Sequence, residues 1–438
     1  MGNDDFESLL ESRELKIAVV GLGYVGLPLA LAYAASGFAV FGLDVDESRV
    51  AMLRDGNSYV EDVSDSLLGD AVGSGNFIPT VDPDVLCDAD AVVICVSTPF
   101  TPAKDPDLTH VVKAAEDLGS RLHQGMLVIL QSTTYPGTTN EVVKPILEAG
   151  GLKAGVDFDL AFSPERVDPG NKTWTVRNTP KVVGALTPEG AEKAKLLLEY
   201  AMDGPGSVTV LSSPDAAEMT KLLENTFRAV NIALVNEMAL LCERMDVDIW
   251  EVIRGAATKP FGFMAFKPGP GVGGHCIAVD PHYLAWRART FDFQAKFIEL
   301  AADANLRMPR HVFHRIARLL NSESKPVRGS KILVLGAAFK AGVGDTRNSP
   351  ALSVMQQLAD EGAQVTYSDP HVPELVINGE LIASVPLTGA ELSSADAVVF
   401  LVPHEEFDRT SVGAGASLIF DAVNAMEGVE VAGRLERL

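Results

Sequence analysis

One stretch near the start of the chain restricts the fold more than any other: residues 15–44, "LKIAVVGLGYVGLPLALAYAASGFAVFGLD". By count it is apolar enough to cross a bilayer. Glycines at 21, 23, 26 and 37, together with Pro28, break it where a membrane helix needs no break. A buried strand, a tight turn, a buried helix ending near Ser36 and a second strand ending at Asp44 explain every break. In that arrangement Gly21 allows the turn, Gly23 lets backbone approach a pyrophosphate, and Gly26 lets helix pack on strand. The pyrophosphate would rest on amides at the helix N-terminus. Asp44 is then placed to accept both hydroxyls of an adenosine ribose, and its charge opposes a 2′-phosphate. The stretch therefore reads as a site for NAD rather than NADP. A glycine turn used only for packing would need neither the acid nor its position.

Strand–helix alternation continues downstream. Strands are expected at 90–98, 126–133, 159–164 and 181–186, with helices such as 107–122 between them. That pattern implies a parallel, doubly wound sheet. From Ser213 the pattern changes. Residues 215–245 contain no Gly or Pro, and Pro214–Asp215 is a good start signal, so one long helix is expected. It is too apolar to lie alone on a surface, which points to an intrachain core and a subunit interface. More helix is expected over 248–258 and 297–320. A polar linker, "SESKPVRGS" (322–330), precedes a second βαβ run with strands at 331–339, 363–370, 395–403 and 416–423 and a helix from Ser349 to Glu361. This run lacks the GxGxxG turn. The expected fold is α/β: two doubly wound Rossmann-like domains (1–212 and 322–438) joined by a central helical dimerisation domain (213–321).

The net charge of −23 argues against nucleic acid and anionic membrane as partners, since phosphate-backbone contact needs a basic field. Four cysteines, at 87, 95, 242 and 276, include no CxxC pair, so neither disulfides nor a metal site are expected. The acidic N-terminus lacks a signal-peptide pattern. A cytoplasmic protein is expected.

Several residues are candidates for chemistry. "KLLEN" sets Lys221 and Asn225 one helical turn apart, where ammonium and amide can hold an alcohol or aldehyde oxygen. An ordinary amphipathic helix shows the same spacing. Ser132, Thr133 and Glu165 stand at strand ends, which face the ligand crevice of a doubly wound sheet. Cys95, Cys242 and Cys87 read as structural. Cys276 instead follows Gly273, Gly274 and His275, with Asp280 four residues on. A thiol needs a base or a positive charge to become a nucleophile at neutral pH, and Lys221, Asp280 and His275 are candidates. Spacing alone leaves nucleophile and buried spectator equally open.

Taken together, "VVGLGYVGLPLA", "QSTTYPGTT", "SPERVDPG", "KLLENTFRAVNIALVNE", "GPGVGGHCIAVDP" and "LGAAFKAGVGDTRNSPA" resemble the nucleotide-sugar 6-dehydrogenases, the UDP-glucose/UDP-N-acetylhexosamine dehydrogenase family. The resemblance covers nearly the whole chain. "KPFGFMAFKPGPG" and "DPHYLAWRAR" look most like its UDP-N-acetylglucosamine branch. It implies four-electron oxidation of a UDP-sugar C6 alcohol to a carboxylate with two NAD, by a homodimer or higher homo-oligomer. It implies Asp280 as general base, Lys221 and Asn225 on the C6 oxygen, Cys276 as the thiol that forms a thiohemiacetal and then a thioester, and Thr133 and Glu165 positioning water. It further implies NAD contacts from Gly21, Gly23, Tyr24, Val25, Gly26, Asp44, Arg49, Thr98 and Thr133. Substrate contacts would come from Glu165, Arg166, Lys221, Asn225, Phe266, Gly273, Lys340 and Arg347, with the UDP-sugar on the C-terminal domain. Two positions depart from the pattern. Pro169 replaces a second glutamate of the UDP-glucose branch, and Val423 stands where many members have arginine. Two rivals remain: a two-electron dehydrogenase, which leaves Cys276 and the third domain without a role, and a non-catalytic NAD-binding regulator.

Overall fold

A computed structural model describes residues 3–60, 62–101, 105–168, 170–171, 173–274 and 277–438. It divides into two compact units, Met1–Glu224 with Trp286–Asp292, and Asn225–Ala285 with Phe293–Leu438.

The first unit is built on eight strands: β1 (Lys16–Val20), β2 (Ala39–Leu43), β3 (Phe77–Thr80), β4 (Ala91–Ile94), β5 (Leu127–Leu130), β6 (Asp159–Phe162), β7 (Lys181–Ala185) and β8 (Val208–Leu211). Their order is β3-β2-β1-β4-β5-β6-β7-β8, so the winding reverses between β1 and β4. The apolar runs of β1, β4 and β5 are buried because helices cover both faces. The helix Gly26–Ala35 is apolar all round and buried along nearly its whole length. That accounts for the membrane-like composition of its segment. Among the described residues no helix is long and apolar enough to cross a membrane.

The sheet is not wholly parallel, as the alternation had implied. β7 pairs antiparallel with β6, joining Ala161 to Ala185 and Phe162 to Gly184. The described residues between these strands contain no helix to make the crossover that parallel pairing requires. β3 and β8, both short edge strands, are additional to the expected set. So is the helix Asn3–Ser12, which buries Phe6 and Leu10 against the helix Pro188–Tyr200.

The long helix runs Pro214–Met245, 32 residues, as its uninterrupted sequence predicts. In the second unit Asp248 caps Ile249–Ala257 through the amides of Trp250 and Glu251. Asp280–Arg289 and Lys296–Ser322 follow, the latter with Pro309 inside it. A five-stranded parallel sheet has the order β10-β9-β13-β14-β15: β9 (Lys331–Leu335), β10 (Gln364–Ser368), β13 (Ala397–Phe400), β14 (Leu418–Asp421) and β15 (Arg434–Arg437). Ser349 caps the helix Pro350–Asp360. A separate hairpin joins β11 (Glu374–Ile377) to β12 (Glu380–Ala383) through Asn378 and Gly379, both at positive φ, the conformation a two-residue hairpin turn needs.

Candidate active site

The first cluster lies at the carboxyl ends of β1, β2, β4 and β5, beside the point where strand order reverses. Gly21 has φ +91°, and its amide donates to Leu43 O at 2.7 Å. A Cβ on Gly26 would collide with the Gly21 carbonyl oxygen, so turn and helix meet only through glycine. Asp44 is 8% exposed. One carboxylate oxygen accepts from Leu22 N at 2.8 Å and the other from Asp46 N at 3.0 Å. Each oxygen thus keeps acceptor capacity. The helix behind the turn has no side-chain cap at Val25, and Leu27 N donates back to Gly23 O at 3.1 Å. Tyr24 is exposed, and Arg49 pairs with Asp46 and lies over the Tyr59 ring. Thr98 Oγ1 donates to Thr133 O at 2.7 Å, and Ser132 Oγ to Val96 O at 2.7 Å, tying the ends of β4 and β5 together.

Glu165 follows β6 and is 6% exposed. Its Oε2 accepts from Lys181 Nζ at 2.9 Å and Gln131 Nε2 at 2.7 Å, while Oε1 accepts the amides of Arg166 and Val167. Burial opposes its charge, but Lys181 and these donors hold its pKa below the usual carboxylate value. Lys181, itself 1% exposed, is a site residue that sequence reasoning missed. A lysine opening the otherwise apolar strand KVVGA was the available signal. Arg166 pairs with Glu224 at 2.6 Å.

The long helix presents Glu218, Lys221 and Asn225 on successive turns, all buried. Glu218, also missed, accepts from Gly137 N at 2.6 Å, Thr139 N at 2.9 Å and Thr139 Oγ1 at 2.7 Å. It thereby anchors the segment after β5 to the turn preceding Lys221. Burial pushes its pKa up to about 7 against the pull of these bonds. Asn225 Nδ2 donates to Asp280 Oδ2 at 2.5 Å, and Asp280 is 1% exposed. An amide hydrogen bond of this kind orients a carboxylate that would otherwise rotate.

Cys276 and His275 lie outside the described residues, as does Pro169. The adjoining loop is described. Gly274 N donates to Arg347 O at 3.0 Å, and Asn348 Nδ2 donates to Gly274 O at 3.1 Å. A Cβ on Gly273 would come within 2.9 Å of Asn348, Pro350 and Phe339, so this glycine is required by packing against 339–350. Sequence-predicted Gly273, Lys340 and Arg347 therefore belong to one locality, with Arg347 ion-paired to Asp345. Phe266 stacks edge-on with Phe227 at 5.9 Å. Gly269 N donates to Asn236 Oδ1 at 3.0 Å, and a Cβ on Gly269 would meet Val423, at the expected arginine position, at 4.0 Å. Cys87, expected to be structural, is exposed, because its short 3-10 helix (Pro83–Asp88) buries only Leu86. Cys95 is buried, and burial pushes its thiol pKa far up, so it is not a nucleophile.

Three family models match in sequence along the chain. They are described as the UDP-glucose/GDP-mannose dehydrogenase family NAD binding domain (residues 15–202), central domain (215–307) and UDP binding domain (333–428). The chain belongs to the UDP-glucose/GDP-mannose dehydrogenase family. It is thus an NAD-dependent oxidoreductase of nucleotide sugars with that family's three-domain α/β architecture. It is 36% identical to the UDP-N-acetyl-D-glucosamine 6-dehydrogenase of Pseudomonas aeruginosa, covering 90% of this chain and 92% of that one. To the UDP-N-acetyl-D-mannosamine dehydrogenase of Campylobacter jejuni it is 35% identical, over 90% and 96%. Among solved structures, the UDP-D-ManNAc dehydrogenase of Pyrococcus horikoshii superposes with a TM-score of 0.87 at 32% identity, over 97% and 99% of the two chains.

Proposed function

We propose that this dehydrogenase oxidises C6 of UDP-N-acetylglucosamine to the carboxylate: R–CH2OH, two NAD+ and water give R–COO−, two NADH and three protons. The observation that carries the reaction is the buried pair Asn225 and Asp280, with the asparagine amide fixing the carboxylate, and Lys221 is buried one turn earlier on the same helix. NAD supplies the hydride acceptor. Its fit is supported by Asp44, with acceptor capacity left for ribose hydroxyls, and by the uncapped helix N-terminus beside Gly23.

In this reading Asp280 takes the hydroxyl proton as hydride leaves C6, and Lys221 and Asn225 hold the C6 oxygen. The Cys276 thiolate then adds to the aldehyde carbon. The thiohemiacetal loses the second hydride, and water cleaves the resulting thioester to release the thiol. Thr133 and Glu165 position that water. With both oxygens of Glu165 occupied, this residue acts by fixed charge and by holding the 165–167 backbone. Lys340 and Arg347 serve the uridine diphosphate, on a C-terminal domain of 322–438. Residues 1–212 form the NAD domain and 213–321 the helical domain. Met219, Leu223, Phe227, Leu234, Leu241 and Met245 make an exposed apolar stripe on the long helix, which supports a homodimer. The described cysteines are free, in keeping with a reducing cytoplasm.

The N-acetylglucosamine assignment rests on the loop motifs and on Pro169. A second reading, UDP-N-acetylmannosamine, takes support from the names of the Campylobacter and Pyrococcus relatives, as the first does from that of the Pseudomonas relative. Comparing kcat/KM for UDP-N-acetylglucosamine, UDP-N-acetylmannosamine and UDP-glucose tests the assignment. The first should be highest. A higher value for the mannosamine sugar transfers the assignment to it, and a higher value for UDP-glucose overturns the branch.

A further inference from the structure

In a chain with 59 acidic and 36 basic residues, one cavity of the second unit is lined by the opposite charge. It measures about 800 Å³ and lies between the end of the long helix and the helix Lys296–Ser322. The long helix contributes Glu243 and Arg244. The other helix contributes His311, His314, Arg315 and Arg318, whose spacing of three and four places them on one face. Three guanidinium groups and two imidazoles therefore surround a single carboxylate. Glu243 is shared three ways: Oε2 faces His311 Nε2 at 3.1 Å and Arg315 Nη1 at 3.3 Å, and Oε1 pairs with Arg318. Arg315 is fixed as a floor by further bonds to Glu436 at 2.9 Å and to Arg437 O at 2.8 Å. Arg244, His314 and Arg318 stand at the solvent side, Arg318 with 64% of its side chain exposed.

Gathering like charges around one carboxylate costs free energy, and an added anion offsets that cost. Planar guanidinium forks match phosphate oxygens two at a time, and the volume falls in the range of small-molecule sites. We propose that this cavity is a binding site for a small molecule bearing a diphosphate group, separate from the NAD and UDP-sugar sites. Arg244, Arg318 and His314 close on the phosphates while Arg315 stays with Glu243 and Glu436. The electrostatics agree. His311 has its pKa lowered, first by burial and then by Arg315, Arg318 and His314, against the opposing pull of Glu243. A bound anion reverses that balance, so protonation and binding favour each other.

The test uses inorganic pyrophosphate, titrated calorimetrically into the whole protein free of nucleotides, beside the double variant Arg244→Glu/Arg318→Glu, in which uptake by the two nucleotide sites is retained. One pyrophosphate per chain is expected beyond what the double variant takes up. The double variant Arg244→Glu/Arg318→Glu should lose at least tenfold in affinity while NADH binding and melting temperature stay unchanged. Chloride at matched ionic strength should not displace the ligand. Absence of binding to the wild type, equal binding by the variant, or displacement by chloride would each overturn the proposal.

Discussion

The two βαβ sheets carry the same device and put it to different uses. In each, a strand ends in a glycine at nearly the same positive φ, +91° at Gly21 and +90° at Gly336. In each, the acid ending the neighbouring strand accepts amides from that turn. Asp44 accepts two amides, one on each oxygen. Asp369 accepts Ala337 N, Ala338 N and His404 Nε2 on Oδ2, and His371 N and Val372 N on Oδ1. His404 Nδ1 accepts from Gly342 N, which places its proton on Nε2, toward Asp369. Although His371, His404 and Glu406 bring ligand atoms within 4.8 Å of one another, His404 thus has no lone pair left for a cation. An acid with a filled shell is structural. An acid with an open shell can take a ligand.

Glu165 has a filled shell like that of Asp369, so it takes no ligand directly and acts on the water of the proposed reaction only through its fixed charge; its loss of Lys181 offers the harshest test. Lys181→Met leaves a buried carboxylate without its cation and should cost about 3–5 kcal/mol in denaturant unfolding. The double variant Lys181→Met/Glu165→Gln should recover much of that. A loss under about 1 kcal/mol would break the rule.

Asp369 is next. Its pKa is held down to about 2 by His404 and the surrounding amides, against burial. The unfolded chain therefore binds the extra proton between about pH 4 and pH 2, and stability of order 2 kcal/mol should drain away as pH falls through that window. Asp369→Asn should flatten the acid limb of the stability profile without changing the NAD/NADP ratio.

Glu218 has the opposite sign. With its pKa raised to about 7, the folded state holds the proton between roughly pH 4.5 and pH 7. Stability should fall as pH rises across that range, by at most about 2–3 kcal/mol. The slope should be smaller in Glu218→Gln, measured by urea midpoint at each pH.

The smallest effect on stability, and the sharpest on specificity, is expected at Asp44. Asp44→Ala removes two amide acceptors at a cost of about 1–2 kcal/mol. It should narrow the NAD preference in kcat/KM by about tenfold to a hundredfold. Comparable use of both cofactors by the wild type would remove the contrast with Asp369.

Much of this was legible in residue order. The glycine turn, the 32-residue helix and the second βαβ run follow from periodicity and from where Gly and Pro fall. The β11–β12 hairpin was readable in Asn378–Gly379 and was missed. The antiparallel β7 was readable in the helix-free pattern of residues 163–180, with Pro164, Pro169, Gly170 and Pro180, and was missed. Single residues were harder. Lys221 and Asn225 share a spacing with any amphipathic helix, whereas Lys181 and Glu218 draw their significance from partners 16 and 79 residues away. The exposure of Cys87 depends on which face its short helix turns outward, and six residues carry no period to predict that.

The most direct test of the whole reading is to count NADH formed per UDP-N-acetylglucosamine consumed, in wild type and in Cys276→Ala, by rapid mixing. The wild type should give two. The variant should give at most one per active site and then stall, because Asp280, Lys221 and Asn225 support the first hydride without sulfur, whereas the second needs the thiol adduct. One NADH per sugar from the wild type, or two from the variant at near wild-type rate, would contradict the account.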